Sequence, residues 1–233
     1  MTTHTDPLAD VRDMYLIHTV FRREFGLVPG LVRGVADGDT GRSAIVGAHL
    51  DLMCRFLHVH HEGEDLILWP LLMERGGEAT RSVVPTMQSQ HASIEEALGQ
   101  VTELLSPWRQ SARLGEALAR ACETLNTAIT EHMALEEEQI LPLAEKLVTN
   151  SEWKQLGDHG RALFTKQEFP VCFGMAMYEG DREVIRSVLA DAPFQVRLLA
   201  PLLAPRAFAA HSRRVHGTAT PPRATSLSPS SRS

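Results

Sequence analysis

The chain has 233 residues, of which 43% are hydrophobic, and a formal net charge of -6. That is enough apolar material for one sizeable core with additional elements, and the negative balance argues against general affinity for nucleic acid or an anionic membrane. No apolar run reaches the roughly 18 residues of a membrane span, and Met1 to Asp10 carries no signal-peptide hydrophobic region.

Three cysteines, Cys54, Cys122 and Cys172, lie far apart in the chain. Such sparse usage fits a reducing cytoplasm without a disulfide framework. Cys54 and Cys122 fall in apolar helical stretches and read as small buried hydrophobes rather than redox groups.

Four long segments carry helical periodicity, separated by Gly-, Pro- or polar-rich breaks. The first runs from about Leu8 to Ala36 with the stripe Val11, Met14, His18, Phe21, Phe25, Val28, Val32. The second runs from about Arg42 to Glu74, with Val46, Leu50, Met53, Leu57, His60, Glu64, Ile67, Leu71. The third covers about Arg81 to Leu105, with Val84, Met87, His91, Ile94, Leu98, Val101, Leu105. The fourth covers about Ala112 to Leu147, with Leu118, Cys122, Leu125, Ile129, His132, Glu136, Ile140, Leu143. Steps of three and four mark the seam of nearly parallel packed helices, and short connections make neighbours antiparallel. The expected fold is therefore all-α, an antiparallel up-down four-helix bundle over residues 8–148 with a short helical C-terminal extension.

The extension, 149–211, is read as helical. A short helix is expected from Ser151 to Leu163, and Asp181 caps another that runs to Ala190. Phe194 to Ala210 is apolar but interrupted by Pro201 and Pro205, which predicts a kinked or broken stretch. These elements cannot bury their apolar faces alone, so they are expected to pack on the bundle or on a second subunit as a homodimer. Residues 212–233 are rich in Ser, Pro and Arg, and a disordered tail is expected there.

Within the four stripes, His18, His60, Glu64, His91, His132 and Glu136 stand where the pattern calls for aliphatic residues. Burying an imidazole or a carboxylate without a partner is costly. The pattern is also repeated: His18 to His60 spans 42 residues and His91 to His132 spans 41. Each half supplies a lone His, then a His-x3-Glu pair followed by Pro-Leu (Pro70-Leu71, Pro142-Leu143). Residues four apart share one helix face, so two halves related by a pseudo-twofold bring four imidazoles and two carboxylates to one level of the core. Imidazole and carboxylate suit iron, manganese, zinc or copper. Two carboxylates at one level are suited to bridge two metals roughly 3.5–4 Å apart, with open positions for a small molecule.

The order His18, His60-x3-Glu64, His91, His132-x3-Glu136 resembles the hemerythrin-like (HHE cation-binding) family over roughly residues 8 to 148. The resemblance implies a non-haem di-iron centre with an oxo or hydroxo bridge. Glu64 and Glu136 would bridge the irons, and the histidines would be terminal ligands. The stretch from Ser151 to about His216 is similar to the C-terminal extension of some longer bacterial members. One position departs from the oxygen-carrying members, which have a second His four residues after the third-helix His; here it is Glu95. That argues against simple oxygen storage and for a more oxygen-rich ligand set, a water-filled site, or a fifth ligand from elsewhere, with His61 the nearest candidate and Glu95 another.

Neighbouring residues receive plainer readings. His58 is off the stripe and belongs to the rim. Glu62 and Asp65 face solvent or support ligands by hydrogen bonds, and Glu137 and Glu138 form a solvated face. Trp69 and Trp153 pack. Tyr15 lies near the stripe and is a minor ligand candidate. Pro70 and Pro142 kink or end their helices.

Function is read as binding or sensing of O2, NO or peroxide, with peroxide decomposition or NO reduction at the same centre as the alternative. No Gly-x-Gly-x-x-Gly motif is present to bring a flavin or nicotinamide, and disproportionation of peroxide needs no external reductant. A ferritin-like oxidase uses Glu-x-x-His with carboxylates in excess, the opposite of this chain. A metal-free interaction module is disfavoured because both halves keep their ligands.

Overall fold

The computed structural model describes residues 6–162 and 164–227, and among them every regular element is helical. Four long helices form a ring: α1 (Arg12–Arg33), α2 (Thr40–Gly63), α4 (Glu78–Ser111) and α5 (Gly115–Leu135). Helix α1 packs on α5, α5 on α4, α4 on α2, and α2 on α1. The short helices α3 (Trp69–Arg75) and α6 (Leu141–Leu147) continue α2 and α5. Asp39 opens α2 by accepting the Arg42 N–H at 2.9 Å, which satisfies one of the donors a helix start leaves unpaired.

The apolar core is split into two layers. One contains Phe21, Phe25, Leu50, Leu57, Ile94 and Ile129. The other contains Met14, Leu68, Trp69, Met87, Ile140 and Leu141. In each of the four helices the candidate ligands fall between these layers, so the polar level is sealed above and below by hydrocarbon.

The second and fourth segments are not the uninterrupted α-helices that their periodicity suggests. A π-helical turn spans Glu64–Leu68 and another spans Glu136–Ile140. The Trp69 N–H bonds back five residues to the Glu64 carbonyl, and Leu141 does the same to Glu136. Pro70 and Pro142 follow one residue later, at the second position of α3 and α6. A proline has no N–H and its ring crowds the carbonyl one turn back, so the wider turn leads into it. Each π-turn inserts one extra residue and rotates everything beyond it. The buried positions after the first turn are therefore Leu68 and Leu72, not Ile67 and Leu71, and after the second Leu141 and Ala144 are buried rather than Leu143.

Helix α4 extends past Leu105 to Ser111 because Trp108 is buried and Pro107 lies on the exposed side. There the carbonyl that Pro107 leaves unpaired faces water. Ala112, in the left-handed region at φ 51°, ends the helix by donating to the Trp108 carbonyl at 2.7 Å.

The extension comprises α7 (Asn150–Ala162), α8 (Glu168–Glu179), α9 (Arg182–Ala190), α10 (Phe194–His216) and α11 (Ala224–Leu227). The expected Ser151–Leu163 helix reaches Ala162, and Leu163 lies outside the described residues. Asp181 caps α9 through the Glu183 and Val184 N–H groups. Helix α7 packs on α2, while α8, α9 and α11 pack on α1. Helix α10 runs along α8 and touches α2. A Cβ at Gly174 would collide with the Ala204 carbonyl, so this glycine permits the close approach of α8 and α10.

Two expectations about the C-terminal part change. Helix α10 is unbroken, one helical element that includes Pro201 and Pro205, both on its exposed side. The described part of the polar stretch, from Ser212 to Leu227, is held by long-range contacts where a disordered tail was expected. The Arg42 guanidinium donates to the Arg214 carbonyl at 2.5 Å, the Tyr178 hydroxyl donates to the Pro221 carbonyl at 2.9 Å, and Ser212 and Val215 are buried. Residues 228–233 lie outside the described residues. Phe194, Leu198, Leu199, Leu202 and Leu203 remain exposed on α10.

The phase slip is directly testable. Leu72→Ala should cost about 2–5 kcal/mol, as large-to-small changes in a packed core do. Leu71→Ala should cost less than half of that in the same urea titration. Equal losses would mean that the helix runs on without the extra residue.

Candidate metal centre

Helix geometry explains how one short segment supplies three donors. Successive residues on a helix are about 100° apart, so His60 and His61 point to either side of the direction taken by Glu64. Glu64 is one turn on from both. The structure uses this spread. One donor atom from each of His18, His60, Glu64 and Glu136 lies within 4.8 Å of the others, and the same holds for His61, Glu64, His91 and His132.

Glu64 is common to both groups. Its Oε1 is 3.0 Å from His60 Nε2, and its Oε2 is 3.2 Å from His91 Nε2. Glu136 also straddles them, with Oε2 3.1 Å from His18 Nε2 and 3.7 Å from His132 Nε2. His61 stacks on His91 with ring centroids 4.1 Å apart. All seven side chains are buried except His60, whose side chain is 10% exposed.

These contacts are not hydrogen bonds. Both oxygens of Glu64, both of Glu136, and the Nε2 atoms of His18, His60 and His61 are buried without a hydrogen-bond partner. The outer nitrogens explain why. His18 Nδ1 donates to Glu137 Oε1 at 2.8 Å, His91 Nδ1 to Asp65 Oδ1 at 2.9 Å, and His132 Nδ1 to Gln90 Oε1 at 3.2 Å. A neutral imidazole that donates from Nδ1 presents a lone pair at Nε2. His91 and His132 then point two lone pairs at each other across 3.2 Å. Carboxylate oxygens and imidazole nitrogens converge here with no hydrogen-bond partners of their own, and this donor set fits a metal site.

Protonation follows from burial and neighbouring charge. Burial pushes the Glu64 carboxyl up and the Glu136 charge adds to it, reaching about 7. Burial acts the same way on Glu136, but His18 outweighs it and holds that carboxyl at about 2. Burial and adjacent imidazoles keep His60 and His61 well below the usual histidine range, and His132 is lowered to about 4 chiefly by burial. These rings are neutral and ready to ligate near pH 7. His18 differs: burial lowers it, but Glu136 and Glu137 raise it to about 9. An incoming ion therefore displaces a proton there, and acid opposes binding.

All seven residues singled out from the sequence meet at this level. Glu95 and Tyr15 do not. Glu95 is 61% exposed and pairs with His58 on the rim, and Tyr15 is 40% exposed. Glu62 faces outward to His159, 3.0 Å away. Trp69 is buried and also donates to Asp65 at 2.8 Å, and Trp153 donates to Asp13 at 2.9 Å.

Glu137 corrects the expectation of a solvated face. It grips His18 and receives a two-pronged guanidinium from Arg22 at 2.7 and 3.0 Å. The repeat carried this signal: an acidic residue follows each motif glutamate, Glu64-Asp65 and Glu136-Glu137. Asp65 supports His91 of the other half, and Glu137 supports His18 of the other half. Gln90 has no such counterpart and was not legible.

The family model of the hemerythrin HHE cation-binding domain matches residues 9–144. Comparison with curated proteins and with solved structures finds no match.

Glu137→Gln and Asp65→Asn should each weaken metal affinity about 10–100-fold, the usual cost of losing a ligand's outer hydrogen bond, with helicity unchanged. Glu138→Gln, at an exposed neighbouring position, is the control. Chelator competition on the three variants measures this, and equal affinities would remove the supporting role.

Proposed function

The chain belongs to the hemerythrin HHE cation-binding family, and on that premise we propose that it holds two iron ions in the bundle core and binds or senses O2, NO or peroxide there. The observation that carries this reading is the set of seven partnerless buried donor atoms around Glu64 and Glu136. His18 and His60 would serve one ion, His61, His91 and His132 the other. Glu64 would bridge, with Glu136 spanning toward both. A ligand set of imidazoles and carboxylates without thiolate suits iron or manganese better than a closed structural zinc site. The cysteines do not take part: all three are free and buried, and burial pushes the Cys172 thiol up to about 12.

His61 takes the role expected of a fifth histidine. Five imidazoles and two carboxylates would leave the coordination of two ions incomplete, and ions held by these residues would supply redox activity and an open position for a small ligand. A cavity of about 910 Å³ reaches His60 and Gly63 from between α1, α2 and the extension, walled largely by Ile17, Phe56, Phe164, Phe173 and Leu156. An apolar approach favours a small uncharged molecule. Around the metal level, Asp65, Glu137 and Gln90 are already committed to the histidines, which supports binding ahead of proton-coupled turnover. Peroxide disproportionation is the alternative at the same centre.

We read the ring of α1, α2, α4 and α5 as an up-down antiparallel bundle, given its short connections. We place the protein in the cytoplasm because its three thiols are unpaired. No described helix is long and apolar enough to cross a membrane.

Iron content and the visible spectrum of the purified chain test the proposal. About two irons per chain are expected, falling to one or none in Glu64→Ala. After reduction, a stable spectral change with NO or O2 is expected. Unchanged iron in Glu64→Ala would sink the bridging role, and rapid O2 evolution from peroxide would move the reading to the enzyme.

A further inference from the structure

Besides the bundle-core donors, the described residues contain one other partnerless buried side-chain atom, His49 Nε2. It sits in a separate cluster. Glu24, on α1, follows His18 by six residues, about 9 Å of helix, and faces the extension rather than the bundle axis. His49 comes from α2 and His216 from the last turn of α10. One donor atom from each lies within 4.8 Å of the others. Their side chains are 0%, 0% and 4% exposed.

Glu24 Oε2 is 3.3 Å from His49 Nε2 and 3.1 Å from His216 Nε2. The His216 contact has hydrogen-bond geometry and the His49 contact does not. On its other side, His49 Nδ1 meets His211 Nε2 at 3.1 Å. In the tautomer in which His49 donates from Nδ1, His211 Nε2 is the acceptor. That leaves a lone pair on His49 Nε2, aimed at an acceptor oxygen. The same contradiction marks the bundle-core centre.

Charge points the same way. Arg23 is fully buried; it donates to Glu24 Oε1 at 2.7 Å and to Glu179 at 2.5 Å. One guanidinium against two carboxylates leaves a net negative charge beside two imidazoles. Two histidines and one carboxylate are a common donor set for zinc, with a fourth position left to water, and His211 is placed to orient His49 from behind.

We infer that Glu24, His49 and His216 form a second, mononuclear site for a divalent transition-metal ion, zinc by its donor set, which fastens the end of α10 to α1 and α2. The site is independent of the bundle-core ions and shares no residue with them.

Zinc counting on the full chain tests this. Metal-stripped protein is saturated with Zn2+, desalted, and its zinc measured beside His216→Ala and Glu24→Gln. Wild type should retain one more ion per chain than either variant at equal helicity. Equal zinc in folded variants would overturn the site and assign the cluster to a proton-held ion pair. If a variant fails to keep its helicity, the wild-type chain decides. With the bundle core already loaded with iron, added Zn2+ should slow amide exchange in residues 208–216, and unchanged exchange there would overturn the inference.

Discussion

Two carboxylates buried at one level of an apolar bundle are the constraint on which the rest of this molecule depends. Moving an ionised group out of water costs on the order of several kcal/mol even after relaxation. Glu64 and Glu136 are fully buried and face one another's charge. Nothing in the hydrocarbon layers of Phe21, Ile94 and Ile129 on one side, or Met14, Met87 and Ile140 on the other, answers that charge. The surrounding imidazoles answer it only if their nitrogens are turned inward, and turning them inward needs acceptors outside. Asp65, Glu137 and Gln90 supply these. The metal level is thus a nested arrangement: acceptors hold rings, rings and carboxylates converge, and the remaining deficit is positive charge.

The π-turns belong to the same logic. Each begins at a motif glutamate and ends just before a proline. The ordinary helix up to Glu64 places that residue one turn from both His60 and His61, and the wider turn beyond it re-phases the helix so that Leu68 and Leu72 return to the lower core layer. A regular helix would have presented Ile67 and Leu71 instead. Functional sites are where such bulges concentrate.

What the sequence made legible follows from what repeats locally. The four amphipathic stripes and the His-x3-Glu pairs are periodic over a single helix, so spacing alone placed His18, His60, Glu64, His91, His132 and Glu136 at one level, while His61 entered only as a candidate further ligand beside His60. The π-turns were not legible, because one inserted residue changes no residue type and only shifts phase beyond it. Glu137 looked like one member of an acidic run; its partner His18 is 119 positions away. The stretch after Ser212 read as unstructured from composition, since its order comes from Arg42 and Tyr178, far back in the chain. Glu24, His49 and His216 carry no spacing signal at all, because three separate helices bring them together.

The extension also explains why the two halves of the repeat are not interchangeable. Three residues after His60 the chain has Gly63, and three after His132 it has Leu135. A Cβ at Gly63 would come within 3.3 Å of the His159 ring on α7. The glycine therefore lets α7 lie against α2 immediately beside Glu64. Among the described residues the extension makes its comparable contact on the other side, where α7 meets α2 and the first π-turn. His61 breaks the symmetry at the same place, since Met133 stands at the matching position of the second half. The half that carries the additional histidine is thus the half covered by the extension, where the apolar cavity reaches His60. The donor atoms belong to the bundle, but the cavity beside them is built jointly by α1, α2 and the helices that follow Leu147.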